Sequence, residues 1–439
     1  MLIRRAQLLD GTIADVRTDH LIVELAANLT PVRGETVFDA TGCTVIPGLH
    51  DHHVHIHSAA AATASVSVSP REVNGRNELR EALVNAHVGE DGWIRAVGYH
   101  EAAAGELDRA TLDEVSPPVP VRVQHRSGIL WTLNTAGLAR VGLPDHPDGR
   151  LRSADPSWSG ALTRRETGLS DVSHRLASYG VTGMTDATPD LEVTDVVKFA
   201  ESRRHGELLQ RVHCLAPGKR ILHDDDLDVD GLTAWVRARH AAGGVVALHC
   251  VTAMQLVVTI AALRAAGTRP GDRIEHAAVV PDDCVADLAE LGVVVVTQPN
   301  FIGERGDQYL ADVPHDELPQ LWRLASLIAA GIPVAMSTDF PFGDLDPWAA
   351  MRAAVRRDTP SGPALGPLER VDGATALTMF LGTPEHPTRP RSVSPGEPGD
   401  LCLLAGTPDD VRHELDAARV VATIVEGRAV YETGGGASR

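Results

Sequence analysis

The sequence predicts an α/β fold: a (β/α)₈ TIM-like barrel with a small β-sandwich domain formed from both termini. Three observations predict it. Through the middle of the chain, short β-branched runs alternate with longer Ala/Leu/Arg-rich stretches of helical period. The two ends share another texture, short strands cut by turns. Chemically capable side chains close several of the middle runs, where barrel enzymes carry their chemistry.

Residues 1 to about 46 read as strands at Leu2–Ile3, Leu21–Val23, Val37–Phe38 and Thr44–Ile46, punctuated by Asp10-Gly11 and Arg33-Gly34. The texture returns in Asp400–Leu404 and Val420–Tyr431, after a boundary loop at Pro395-Gly396-Glu397-Pro398-Gly399. Residues 1–46 with 395–433 are therefore assigned to the β-sandwich and 47–394 to the barrel. The last residues, Gly434 to Arg439, are expected to be disordered. In the middle, strands are expected at Val245–His249, Arg273–His276, Val293–Thr297 and Pro333–Ser337, with a helix at Pro281–Leu291. Strands apolar on both faces fit a sheet that helices cover. Trp93–Tyr99 and Val119–His125 are also strand-like, which gives more strands than eight positions hold. An insertion is expected within 70–157, where a Pro/Gly-rich stretch runs from Leu143 to Gly160.

Bulk composition narrows the function. The chain has 439 residues, enough for a large barrel and a minor module. A formal net charge of −19 with no clustered Lys/Arg run argues against a nucleic-acid partner. The five cysteines are scattered without CxxC spacing, so neither a disulfide framework nor a thiolate zinc site is expected. There is no apolar signal core and no uncharged run of about 18 residues, so no membrane span is expected and a reducing cytoplasm is the natural location.

The strongest local signal is Pro47-Gly48-Leu49-His50-Asp51-His52-His53-Val54-His55. Residues two apart on a strand share a face, so His53 and His55 can point inward together and chelate one divalent ion such as zinc. His50/His52 and His55/His57 have the same spacing, so the register stays open on this pattern alone. His249 and His276 each close a candidate strand, and each would be read as a core histidine if met alone. Asp339 follows Pro333–Thr338, where a carboxylate can bind metal and accept a proton from water; the competing reading is a helix N-cap. The chain has only two lysines, Lys198 and Lys219. Lys219 is either an exposed loop lysine or a desolvated neutral amine that adds carbon dioxide to form a carbamate bridging two metals. Lys219 to His249 spans 30 residues, His249 to His276 spans 27, and His276 to Asp339 spans 63. Consecutive βα repeats would set these residues on strands four, five, six and eight, with His53 and His55 on strand one.

On these residues the chain resembles the amidohydrolase superfamily, whose first strand carries PG, two residues, then D-x-H-x-H. Counting from Pro47-Gly48 puts Asp51, His53 and His55 in that motif. It is similar more narrowly to the YtcJ-like branch that includes N-substituted formamide deformylases. That likeness rests on Trp93, Arg126-Ser127-Gly128 with Leu133-Asn134, Gly180-Val181-Thr182, Arg273-Ile274-Glu275-His276, Gln298-Pro299, and Ser337-Thr338-Asp339 with Asp346-Pro347. The resemblance implies a distorted barrel with a β-sandwich from both termini. It also implies zinc, or manganese or iron, one or two ions per chain, held by His53, His55, His249, His276 and Asp339, with Lys219 at the bridging position. Three departures bear on it. Asp224-Asp225-Asp226 replaces a Gly-rich segment, Cys250-Val251-Thr252 replaces a Gly-Asp pair after His249, and Ile129 stands where a histidine is common. The last two positions are expected on the substrate side.

The expected activity is hydrolysis of a C–N amide-type bond in a small molecule by metal-activated water, with Asp339 as the catalytic proton carrier. A mononuclear ring deaminase in which Lys219 is a bystander is one alternative. A catalytically silent barrel acting as an assembly partner is another. A homo-oligomer is compatible with all three.

Overall fold

The computed structural model describes residues 1–153, 155–162 and 168–434. Of the tail Gly434–Arg439 expected to be disordered, residues 435–439 lie outside that description. The chain divides into two compact units, Met1–His55 with Leu169–Arg439, and Ile56–Gly168.

In the first unit both chain ends enter one hydrogen-bonded sheet. Its order is Arg428–Glu432, Val420–Val425, Leu401–Ala405, Cys43–Pro47, Leu2–Gln7, Ile13–Thr18 and Ile22–Ala26, with Val37–Asp39 beside Leu2–Gln7. Leu401–Ala405 runs antiparallel to Cys43–Pro47 from Leu401↔Pro47 to Ala405↔Cys43, which stitches the termini together. Ile3, Val16, Ile22, Val45, Leu403 and Ile424 share one buried cluster. Each such side chain contributes about 1.5–3 kcal/mol by leaving water. Ile13–Thr18 is a strand that sequence reading missed, because Asp15 and Arg17 break its apolar pattern. Asp15 is fully buried there and accepts the backbone N–H groups of Arg5 at 2.8 Å and Leu29 at 2.9 Å.

Outside that sheet, eight strands among the described residues of this unit pair in parallel, labelled β1 (Leu49–Val54), β2 (Val181–Asp186), β3 (Arg211–Cys214), β4 (Lys219–Ile221), β5 (Ala247–Cys250), β6 (Arg273–His276), β7 (Val294–Thr297) and β8 (Val334–Met336). They form a sheet of β1, β2 and β3 and a sheet running from β4 to β8. β1, β2, β6 and β8 are buried along their whole length, as expected for strands covered on both faces. β5 starts two residues later than expected, since Val245 is exposed and leaves the ladder to Ala247. The helix after β6 is Asp282–Leu291, preceded by Pro281 and ended by Gly292 in the left-handed region at φ 64°. Proline fits a helix start because it lacks an N–H that would go unused, and glycine turns left-handed at the end without a Cβ clash. Gly48 in the first-strand motif is required by close approach. A Cβ there would stand 2.3 Å from the Thr182 side chain on β2.

The second unit has its own five-stranded sheet, ordered Arg150–Arg152, Leu130–Leu133, Val121–His125, Ile94–Tyr99 and Val66–Ser67. The surplus strand candidates near Trp93 and Val119 therefore pair with each other. Its cores are an aliphatic cluster around Leu79, Ile94 and Val121, and a tryptophan cluster of Trp93, Trp131 and Trp158. Among the described residues, no helix is long and apolar enough to cross a membrane, and all five cysteines are unpaired.

Candidate metal centre

The centre is assembled at the ends of β1, β4, β5, β6 and β8. His53 is the penultimate residue of β1, and His55 lies one position beyond the strand. Asp339 follows β8, and its N–H donates to the His53 carbonyl at 3.0 Å. Its φ of 56° is left-handed, a conformation costing a non-glycine residue on the order of 1–2 kcal/mol. The Asp339 carbonyl holds that turn by accepting the N–H groups of Phe342 at 2.8 Å and Gly343 at 3.1 Å. Asp339 caps no helix. The next one, Pro347–Arg356, is capped by Asp346, whose carboxylate accepts the Trp348 N–H at 2.9 Å.

His53 Nε2 and His55 Nε2 lie 3.6 Å and 3.5 Å from Asp339 Oδ1, and His276 Nδ1 lies 3.9 Å from Asp339 Oδ2. The His276 ring centroid is 4.7 Å from that of His53 and 4.5 Å from that of His249. Ligand atoms of His53, His55 and Asp339 all fall within 4.8 Å of one another, close enough for one ion's coordination shell. Lys219 is not an exposed loop residue. It opens β4, is 5% exposed, and carries its charge against Glu275 and Asp339, whereas Lys198 is exposed on helix Val193–Arg204. His53 Nε2, Lys219 Nζ and Asp339 Oδ1 are all buried without a hydrogen-bond partner among the described residues. Orphaned polar atoms of this kind are costly unless something binds them; a neutral imidazole and a carboxylate suit a divalent cation, and a lysine joins them only once its amine is converted to a carbamate.

Electrostatics favour the same use. Burial pushes His53 and His276 well below the ordinary histidine value, and burial with the Lys219 charge takes His249 to about 3. All three imidazoles are thus neutral at pH 7, with a lone pair to offer. Burial lowers Lys219 to about 8 against the pull of Glu275 and Asp339. Burial likewise raises Asp51 to about 7. Asp51 works as a tie: its carboxylate accepts Thr338 Oγ1 at 2.5 Å, Thr338 N at 3.2 Å and His53 N at 3.3 Å, linking β1 to the end of β8.

Two neighbouring histidines look elsewhere. His50 Nε2 meets Thr185 Oγ1 on β2 at 2.9 Å, and the buried His52 packs on His50 with ring centroids 4.7 Å apart. Sequence reading assigned no role to Glu275, Arg273 or Gln298, although all three stand in the quoted motifs. Glu275 receives His53 Nδ1 in a short hydrogen bond, and Gln298 Oε1 lies 2.8 Å from His276 Nδ1. The usable signal was period two in β6, which puts Arg273 and Glu275 on one face.

The residues after His249, expected on the substrate side, need correction. Cys250 is buried, with Sγ 3.2 Å from Thr259 Oγ1 on helix Ala253–Ala266. Thr252 caps that helix, and Asp224 accepts from Thr252 Oγ1 at 2.8 Å and Gln255 Nε2 at 2.9 Å. The residues after His249 and the acidic run thus secure a helix start. Ile129 belongs to the second unit and is exposed. That unit holds another grouping, His100, Glu101 and His125. His100 Nδ1 accepts the Ala102 N–H as a helix cap, which leaves its proton on Nε2, 3.7 Å from Glu101. That arrangement offers Glu101 an N–H, where a metal needs a lone pair.

Residues 36–431 match the profile of the Amidohydrolase family. The N-substituted formamide deformylase of Arthrobacter pascens is 24% identical, over 94% of each chain. The putative amidohydrolase YtcJ of Bacillus subtilis is 23% identical over 48% of this chain and 41% of its own. Two uncharacterized metal-dependent hydrolases share the fold at 18% identity: one from Pyrococcus furiosus (TM-score 0.69, 93% of this chain, 99% of that one) and one from Pyrococcus horikoshii OT3 (TM-score 0.71, 93% and 97%). With a family match that runs nearly end to end, this chain belongs to the amidohydrolase family and is a hydrolase.

Proposed function

We propose that the chain hydrolyses a C–N amide-type bond of a small molecule, with His53, His55, Lys219, His249, His276 and Asp339 holding one or two divalent ions. The observation that carries this reading is the set of three buried atoms with no hydrogen-bond partner among the described residues, His53 Nε2, Lys219 Nζ and Asp339 Oδ1. A divalent ion among such residues lowers the pKa of water towards about 7 and polarises a carbonyl. Asp339 takes the proton of the attacking water and returns it to the departing nitrogen. The neutral imidazoles keep their lone pairs for the ion. Lys219, near neutrality at about pH 8, is suited to carbamate formation and thereby to bridging two ions.

The same proposal closes β1–β8 into one barrel, a reading supported by the hydrogen bond from Asp339 N to His53 O between the two sheets. It assigns 1–46 with 395–433 to a β-sandwich domain, 47–394 to the barrel, and an insertion to part of 70–157. Zinc is the proposed ion, supported by the histidine-rich ligand set. Cytoplasmic residence is proposed on the five free thiols. The deformylase relative makes formamides one class to test.

Elemental analysis of the purified chain, then a screen of N-acyl, formamide and cyclic amide compounds, tests the proposal. Bound zinc, manganese or iron together with amide turnover is expected. A chain that takes up no divalent ion and stays inert after zinc or manganese addition would end it.

A further inference from the structure

The histidines at the centre are not supported alike. In β6, Arg273 closes on the Glu275 carboxylate, with Nε on Oε1 and the terminal NH2 group 3.0 Å from Oε2. The same NH2 donates to the His52 carbonyl at 2.7 Å, and both side chains are buried. Glu275 Oε2 also receives His53 Nδ1. Arg273 thus donates to both Glu275 oxygens, the pairing of a guanidinium with an ionised carboxylate. An ionised carboxylate only accepts, so the His53 proton sits on Nδ1 and Nε2 keeps its lone pair.

His276 has the same tautomer with a weaker backer. Its Nδ1 donates to Gln298 Oε1 at 2.8 Å. The amide cannot be reversed, because Gln298 Nε2 donates to Ser337 Oγ at 2.8 Å and lies 3.4 Å from the Val296 carbonyl, which only accepts. One metal-facing imidazole therefore leans on a carboxylate, the other on a neutral amide. A carboxylate behind an imidazole raises its basicity and its strength as a ligand.

We propose that Glu275, locked by Arg273, is the positioning residue that makes His53 the strong ligand of the centre, while Gln298 keeps His276 a weaker one, so that divalent ions load in order. The first goes to His53, His55 and Asp339, and the second, more exchangeable, to His249 and His276. This ordering rests on the metal-centre reading above.

The test is zinc titration of the metal-free full-length chain against a chromophoric chelator, with bicarbonate present. Wild type is expected to show two steps about tenfold or more apart, and Glu275→Gln to weaken the tighter one about 10- to 100-fold. Gln298→Glu moves the other way, tightening the weaker step. Glu275→Gln leaves the Arg273 guanidinium uncompensated, so the double variant Glu275→Gln with Arg273→Met serves if the single one does not fold, with the same weakening expected. Loss of packing alone would not give opposite signs at the two steps. A natively folded Glu275 variant with an unchanged tight step overturns the proposal, as do a Gln298→Glu variant that binds more weakly and a wild type with one step or two equal ones. A wild type that binds no zinc removes the metal-centre reading itself.

Discussion

The main chain registers Asp339 against His53: the Asp339 N–H donates to the His53 carbonyl at 3.0 Å, and this brings Asp339 Oδ1 to 3.6 Å from His53 Nε2. The carboxylate is held by backbone geometry, so changing its chemistry leaves its position intact. Asp339→Asn is therefore expected to fold and retain metal while turnover falls about 10²- to 10⁴-fold, the usual contribution of a proton carrier. Steady-state kinetics with metal analysis on the same sample check this. Near-normal turnover refutes the assigned role.

Lys219 predicts a dependence on pH and bicarbonate. Its amine, lowered to about 8, is mostly protonated at pH 7 and mostly neutral at pH 9, and only the neutral form adds carbon dioxide. Reloading the metal-free chain in bicarbonate is expected to reach near two ions per chain, faster at pH 9 than at pH 7. Lys219→Arg should stop near one at either pH. A variant that still reaches two makes Lys219 a bystander, as in the deaminase reading.

The same residue sets a stability slope in the metal-free chain. Its folded pKa, about 8, lies below the ordinary 10.5, so between those values the unfolded chain holds a proton that the folded chain does not. Stability then rises with pH across that window, and below pH 8 the burial penalty of the charge is fully present, about 3 kcal/mol from the size of the shift. Lys219→Met should flatten the slope and raise stability at pH 7. Urea titrations of both metal-free proteins at pH 7 and pH 10 measure it; parallel pH trends would contradict the assignment.

Gly48 offers a test of packing beneath the centre. A Cβ there would meet Thr182 Cγ2 and Oγ1 at 2.3 Å and Thr182 Cβ at 2.8 Å. Gly48→Ala is expected to destabilise by about 1–3 kcal/mol, as overpacking does in close-packed interiors. Adding Thr182→Ala should recover part of that loss, since two of the three contacts disappear. Thermal denaturation of the single and double variants decides it.

These tests also mark what the sequence could yield. His53, His55, His249, His276 and Asp339 could be proposed from the sequence because strand ends recur at regular distances, and the structure brings His53, His55 and Asp339 within 4.8 Å of one another. Asp15 hid a strand because its burial is satisfied by two backbone N–H groups that no periodicity reveals. Cys250 and Thr252 were misread for a related reason: a strand end places one side chain toward the centre and the next beneath a helix, and one register step decides between them. Glu275 and Gln298 stood in plain view without a role, because their partners come from other strands and only tertiary structure brings them together.

β6 packs Arg273, the carboxylate that it holds against His53, and the proposed ligand His276 into four residues. A single insertion or deletion there would turn the carboxylate outward and the isoleucine inward, and would take from His53 its Glu275 partner and from His276 its place beside Gln298 at once.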